Sequence, residues 1–153
     1  MSINTNLIKV ALALLQDEAN GNVSKAKEKM ELDEYSMTWM YRSRDTLFPN
    51  VKGEMLKKEM EDVYKIPDRQ YEIMHTAQND DVVFIEMIES YPDTETGKEY
   101  RTPITLVLEF KESKVVRGRH YTDPNLSHEY LSQEVIHAAI GSVPKIVIRS
   151  QAL

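Results

Sequence analysis

The sequence contains no cysteine, so disulfide bonds, thiolate catalysis and cysteine-ligated metal sites are all excluded. It also lacks any run approaching the roughly 18 consecutive apolar residues that a membrane span requires. The N-terminus has no basic segment followed by a long apolar stretch, which is the pattern of a signal peptide. Together these absences predict a cytoplasmic protein that does not associate with a membrane.

An excess of positive charge is absent as well. The 19 lysine and arginine residues are outnumbered by 25 aspartate and glutamate residues, which gives a formal net charge of −6. Proteins that bind phosphate backbones or anionic lipid need a basic surface, and no basic cluster stands out here. The sequence therefore predicts no nucleic-acid partner.

The chain length and composition are those of one ordinary globular domain. The sequence has 153 residues, of which 41% are hydrophobic and 29% are charged. This is enough for one sizeable core but not for two. We expect a single domain over 1–153, in which 125–153 form a C-terminal helix and tail.

The hydrophobic pattern changes from helical to strand-like along the chain. Spacing of apolar residues predicts helices over 6–18, 24–32 and 53–64, with Gly21 ending the first of them. Alternation predicts strands over 33–42, 70–76, 82–91, 101–110 and 114–123. A last helix is expected over 126–140, before an apolar tail of uncertain structure. Helices followed by an antiparallel meander indicate the α+β class, with a curved sheet wrapped around the helices to enclose a pocket.

Three segments between His75 and Asp123 carry a resemblance to a known family. They are Val83-Phe-Ile-Glu-Met-Ile-Glu89 on one strand, Thr96-Gly97-Lys98 in a hairpin and Arg119-His-Tyr-Thr-Asp123 on the closing strand. Their order and spacing resemble the limonene-epoxide-hydrolase-like members of the SnoaL-like group, within the NTF2-like superfamily. The resemblance implies the cone-shaped NTF2-like fold, a small-molecule pocket and a homodimer formed through the outer face of the sheet.

The residues at the family's catalytic positions differ. The family's Asp-Arg-Asp centre corresponds to Glu89, Met87 and His120, and its assisting Tyr and Asn correspond to Ser36 and Thr38. None of the five is retained, so the sequence does not support epoxide hydrolysis by that mechanism. If this strand has the orientation that it has in the family, the side chains of Ser36 and Thr38 would point into the pocket.

Glu89 and His120 are the predicted catalytic residues, because a carboxylate near an imidazole in a dry pocket forms an acid/base pair with pKa values near neutrality. Such a pair would serve an isomerase, lyase or hydrolase that acts on an apolar small molecule. The alternative is a non-catalytic module that binds a small ligand or serves for dimerisation. Loss of every matching catalytic residue favours this alternative, whereas retention of ionisable groups at two of the positions favours the enzyme.

The remaining candidate residues would contribute to ligand binding. They are Ser36, Thr38, His75 and Met87. Two histidines and a carboxylate, His75, His120 and Glu89, could hold iron or zinc, but they lack a diagnostic spacing, so we predict neither a metal nor a cofactor. Tyr35, Trp39 and Tyr41 alternate with the polar residues of their strand, and the family's facing places these aromatic rings outward, at the dimer interface.

Overall fold

The computed structural model describes residues 6–151, which form four α-helices and one seven-stranded sheet. The helices are α1 (Leu7–Ala19), α2 (Val23–Glu28), α3 (Gly53–Tyr64) and α4 (Gln133–Ile140). The strands are β1 (Ser36–Trp39), β2 (Asn50–Lys52), β3 (Gln70–Asn79), β4 (Val82–Pro92), β5 (Glu99–Lys111), β6 (Lys114–Tyr121) and β7 (Ile146–Arg149). A short 3₁₀ turn, Pro124–Leu126, follows β6. The predicted α+β class is confirmed.

Local sequence signals account for the ends of the helices. Asn6 caps α1 by accepting a hydrogen bond from the Lys9 amide, and Asn22, rather than Ser24, caps α2 in the same way. Gly21 has a positive φ of 68° just after α1, as predicted. A Cβ atom at this position would lie 2.9 Å from the Tyr64 carbonyl oxygen, so glycine is needed for space as well as for conformation.

The strand order is β2-β1-β6-β5-β4-β3-β7, and the sheet is curved. Every neighbouring pair is antiparallel except β1 and β6, which run parallel. The long hairpins β3–β4 and β4–β5 form the centre of the sheet. Helices packed on a curved sheet agree with the cone that the resemblance implied.

The main core lies between the helices and the inner face of the sheet. Leu14 and Leu15 of α1 pack there with Ile73, Ile85 and Leu108 of the sheet, all at most 7% exposed. Burial of this apolar surface is the main favourable term in folding.

A second, smaller core lies on the outer face of the sheet. The register of β3 and β4 shifts between Ile73 and His75, and Met74 in this bulge packs with Ile88 of β4 and Ile136 of α4. The predicted C-terminal helix is therefore present but begins at Gln133, after the Ser132 cap, and not at 126. The tail after α4, for which the sequence predicted no definite secondary structure, forms β7, which pairs with the edge of β3.

Candidate functional site

A cavity of about 300 Å³ opens between the helices and the inner face of the sheet. Its lining is mostly apolar and aromatic, as is usual for sites that bind small molecules. Among the lining residues are Met60, Met87, Leu106 and Leu108, and the polar members include Glu89 and His120. Both predicted catalytic residues therefore lie on the wall of one cavity.

Glu89 is held by a buried arginine that sequence reasoning missed. The Nη1 atom of Arg69 lies 2.9 Å from Glu89 Oε2 and 3.6 Å from Glu18 Oε1. Tyr71 donates its hydroxyl hydrogen to Glu18 Oε1. We call Glu18, Arg69, Tyr71 and Glu89 the buried charge cluster.

The chain positions the cluster from three elements. Glu18 comes from the last turn of α1, Arg69 immediately precedes β3, and Glu89 lies on β4 opposite Tyr71 in the sheet register. The Arg69 side chain is only 4% exposed, and its guanidinium carbon lies 5.1 Å from the centre of the Tyr91 ring. Arg69 is thus fixed by two carboxylates and an aromatic face.

Burial and charge act in opposite directions in this cluster. Burial by itself would lower the pKa of Arg69, but Glu89, Tyr71 and Glu18 together raise the pKa of its guanidinium, so it stays charged. Burial raises the pKa of the Glu18 carboxyl; Arg69 opposes this rise, and the negative charge of Glu89 adds to it. The Glu18 carboxyl therefore takes up a proton more readily than an ordinary exposed glutamate does.

His120 lies on β6, next to the aromatic ring of Trp39. The two ring centres are 6.4 Å apart and the planes are tilted by 48°. Burial lowers the pKa of His120; the negative charge of Glu89 raises it, and the positive charge of Arg69 lowers it again. The net direction is downward, so the imidazole is neutral at neutral pH.

His120 has an unused polar atom. Within residues 6–151, its Nδ1 atom is buried and has no hydrogen-bond partner. The described side chains likewise include no hydrogen bond between His120 and Glu89, which is engaged with Arg69 instead. The two groups affect each other through charge rather than through a direct bond.

The predicted facing of β1 is wrong. Met37 and Trp39 line the cavity together with Tyr35 and Tyr41 of the flanking segments. Ser36 and Thr38 therefore point outward, and the Thr38 hydroxyl donates to Asn50 Oδ1 of the neighbouring segment, at 3.0 Å. The physical reason is that alternation permits two phases, and the phase that buries the larger apolar set prevails.

His75 also lies away from the cavity. It is exposed on the outer face of β3, where its Nδ1 atom is 2.7 Å from Glu86 Oε1 across the strand pair. The register shift next to Met74 sets this facing. The cluster of His75, Glu89 and His120 considered for a metal does not assemble, and no group of three or more potential metal ligands occurs in the part of the chain that the structure describes.

One of the missed residues had a signal in the sequence. Glu18 falls on the apolar stripe of α1 formed by Leu7, Ala11, Leu14 and Leu15, where an unpartnered carboxylate would be costly. Arg69 follows a turn and precedes a strand without any periodic pattern, so its burial could not be read from the sequence.

Comparisons with solved structures identify the fold. An NTF2-like protein of unknown function from Cytophaga hutchinsonii is 13% identical, with a TM-score of 0.60 over 82% of this chain and 96% of that one. An LEH-like epoxide hydrolase of M. tuberculosis is 13% identical, with a TM-score of 0.61 over 89% and 96%. A candidate polyketide cyclase from Acidithiobacillus ferrooxidans is 17% identical, with a TM-score of 0.64 over 84% and 95%.

Comparison with models of protein families gives no match, and comparison with curated proteins gives none either. Likeness at such low identity establishes the fold alone. The chain has the NTF2-like fold, and its resemblance to the SnoaL-like and LEH-like proteins is confirmed at that level. No helix among residues 6–151 is long and apolar enough to cross a membrane.

Proposed function

We propose that the protein is an acid/base enzyme that acts on an apolar small molecule in this cavity, with His120 as the proton acceptor. The reaction would be of the isomerase, lyase or hydrolase type. Glu89 is the second catalytic residue, and Arg69 positions it.

The observation that carries the proposal is that the imidazole of His120 is unprotonated and lines the cavity. A general base must be unprotonated before it reacts, and burial lowers the pKa of this imidazole. The ring lines the cavity beside Trp39, so a ligand in the cavity would touch it. A neutral imidazole in an apolar wall is suited to accept a proton from carbon, oxygen or water.

Glu89 supplies the complementary charge. When His120 accepts a proton, the positive charge formed on the ring is stabilised by the nearby carboxylate, as the upward effect of Glu89 on the pKa of His120 indicates. Arg69, whose Nη1 atom lies 2.9 Å from Glu89 Oε2, fixes the orientation of that carboxylate.

Solved structures with the same fold are named for several kinds of reaction. Those with the same fold include an LEH-like epoxide hydrolase, a candidate hydroxylase and a candidate polyketide cyclase. Acid/base chemistry on a small organic molecule fits the groups found in this cavity.

The test is a turnover screen with matched variants. Wild-type protein, His120→Gln and Glu89→Gln are incubated with the low-molecular-mass apolar fraction of a cell extract in D2O, and mass spectrometry follows lost metabolites and incorporated deuterium. We expect changes with the wild type that both variants lose, while the exposed control His75→Gln retains them. If His120→Gln converts the same metabolites to the same extent as the wild type, the proposal is contradicted.

A non-catalytic binding module is the second candidate. It is favoured by one observation, namely that Glu89 is already paired with Arg69 and makes no hydrogen bond to His120 within the described chain. Ligand affinity that changes with pH near neutrality would support the acid/base pair, whereas tight and pH-independent binding would support the module.

Two further predictions from the sequence remain proposals. The homodimer is expected to form through the outer face of the sheet, where Phe84 and Tyr121 are each 40% exposed. The cytoplasmic location is expected from the absence of cysteine.

A further inference from the structure

The side chains of the buried charge cluster are unequally exposed. Glu18 and Glu89 keep 20% and 18% of their side-chain surface, whereas Arg69 keeps 4%. Arg69 is thus the least exposed of the three charged side chains, and its Nε atom is buried with no hydrogen-bond partner in 6–151. The two carboxylates are therefore more accessible than the guanidinium that they share.

The charges of the lining do not balance. Its described residues include three carboxylates, Glu18, Glu59 and Glu89, and one guanidinium, Arg69. The imidazole of His120, which also lines the cavity, is uncharged at neutral pH because burial lowers its pKa. Even without the exposed Glu59, two carboxylates share one arginine, so the inner cavity lacks one positive charge.

Aromatic rings surround this unbalanced charge. The cavity is lined by Tyr35, Trp39, Tyr41, Tyr64, Tyr71 and Tyr91. The faces of such rings attract cations within about 6 Å, most strongly where water is excluded. The cavity already contains one such contact, between Arg69 and the Tyr91 ring at 5.1 Å. Glu59 at the more exposed end adds negative charge close to Tyr41.

We propose that the ligand of this cavity is an organic cation, an amine with an apolar body, whose positive charge is bound by Glu18 and Glu89 and by the surrounding aromatic rings. The apolar body would lie against the methionine and leucine side chains. The inference rests on the proposed function only in that it concerns the same cavity; it specifies the chemical class of the ligand.

A proton and the cation should compete for the same negative charge. The charged or titratable groups that face Glu18 are Arg69, Tyr71, Glu89, Tyr35 and Tyr64. Of these, Arg69 alone is cationic, and it is shared with Glu89. Burial raises the pKa of Glu18, so at low pH the carboxyl is neutral and the charge deficit disappears. Affinity for the amine should therefore rise with pH, and affinity for an uncharged analogue should not.

The cavity contains a built-in reporter, because Trp39 is the only tryptophan in the sequence and lines the site. The experiment titrates the protein with 1-adamantanamine and with 1-adamantanol, which share a compact apolar cage and differ in charge. Tryptophan fluorescence and isothermal titration calorimetry follow binding in parallel. We expect the amine to bind at least about tenfold more tightly than the alcohol, a difference that one favourable charge interaction can supply.

The matched variants are Glu18→Gln and Glu28→Gln. Both remove one negative charge, but Glu28 is exposed on α2 and does not line the cavity. Glu18→Gln should abolish the preference for the amine and its pH dependence, whereas Glu28→Gln should preserve both.

Equal binding of the two compounds, or tighter binding of the alcohol, would overturn the cationic ligand and leave the acid/base proposal standing. Preference for the amine that survives in Glu18→Gln would overturn it as well. If neither compound gives a fluorescence change or heat, the inference is contradicted. Loss of turnover in His120→Gln is an independent result, so failure of one proposal can be told from failure of the other.

Discussion

Arg69 determines the geometry of the site at the scale of single residues. A charged side chain that is 4% exposed loses most of its hydration, and this loss is tolerated only with close partners of opposite charge. Glu89 at 2.9 Å is the main partner, and Glu18 at 3.6 Å is the second. Removal of the arginine would leave two carboxylates facing each other in a largely apolar cavity.

We therefore expect Arg69→Met to destabilise the fold by about 3–5 kcal/mol, the range found when one partner of a buried ion pair is removed. Urea unfolding followed by circular dichroism measures this difference. The control is Arg44→Met at an exposed position, which should change stability by less than about 0.5 kcal/mol. Equal stability of the two variants would show that the cluster does not depend on the arginine.

At the scale of elements, α4 and β7 extend the sheet and cover part of its outer face. Glu72 of β3 is 2% exposed beneath α4, and its Oε1 atom lies 3.1 Å from Nε2 of His137. Its Oε2 atom has no hydrogen-bond partner among the described residues. Among residues 6–151, His137 is thus the only polar partner of this carboxylate, and the contact also fixes α4 on the sheet.

His137→Ala should lower the free energy of unfolding by about 2–3 kcal/mol. This is less than the range of about 3–5 kcal/mol for a fully buried ion pair, because the His137 side chain is 23% exposed. Val135→Ala on the exposed side of the same helix is the control, with an expected change below about 0.5 kcal/mol. If denaturant unfolding places both variants at the wild-type midpoint, the contact does not hold α4 in place.

The long elements could be predicted from sequence because their periodicity is local. The 3.6-residue spacing of α1 results from one buried face, and most of β4 and β5 alternates for the same reason, although Ile88 and Val107 are buried on the opposite face of the sheet. The existence of the central strands and of α3 was therefore predicted well. β2 has only three residues and was missed, because so short a segment carries no period.

The facing of β1 depends on a contact that is distant in sequence. Met37 lies opposite Gly118 of the parallel strand β6, and a Cβ atom at Gly118 would lie 2.6 Å from the Met37 methyl carbon. The missing side chain at Gly118 makes room for Met37 inside the cavity. Alternation in long strands correctly placed Glu89, His120 and Met87 on the inner face of the sheet. The positions of Ser36 and Thr38 were wrong because the facing of β1 was taken from the family resemblance. The position of His75 was wrong because the bulge next to it shifts the register.

At the scale of the whole molecule, the outer face of the sheet is only partly covered. α4 packs over the β3 and β4 region near Met74 and Ile88, whereas Phe84 and Tyr121 remain 40% exposed. Exposed aromatic residues beside mixed charges are typical of protein interfaces. A homodimer would therefore use the uncovered part, next to the ion pair of Arg119 and Glu109 at 2.7 Å.

We expect the wild type to be a dimer by size-exclusion chromatography with light scattering, and Phe84→Glu with Tyr121→Glu to be a folded monomer. New carboxylates in the centre of the interface would lose hydration and repel their symmetry mates. Phe48→Glu, at a 54% exposed position outside this face, is the control and should stay dimeric. A monomeric wild type would refute the dimer.

The claim that His120 is an uncharged base in the cavity wall is tested most directly by NMR titration of its imidazole, assigned from the signal missing in His120→Gln. We expect a pKa below the usual value of about 6.5, because burial disfavours the charged ring. Glu89→Gln should lower it further, since the Glu89 charge raises it. The base is then available above this pKa, so activity should rise as the pH increases through it. A pKa at or above about 6.5, or one that Glu89→Gln leaves unchanged, would contradict the proposed acid/base pair.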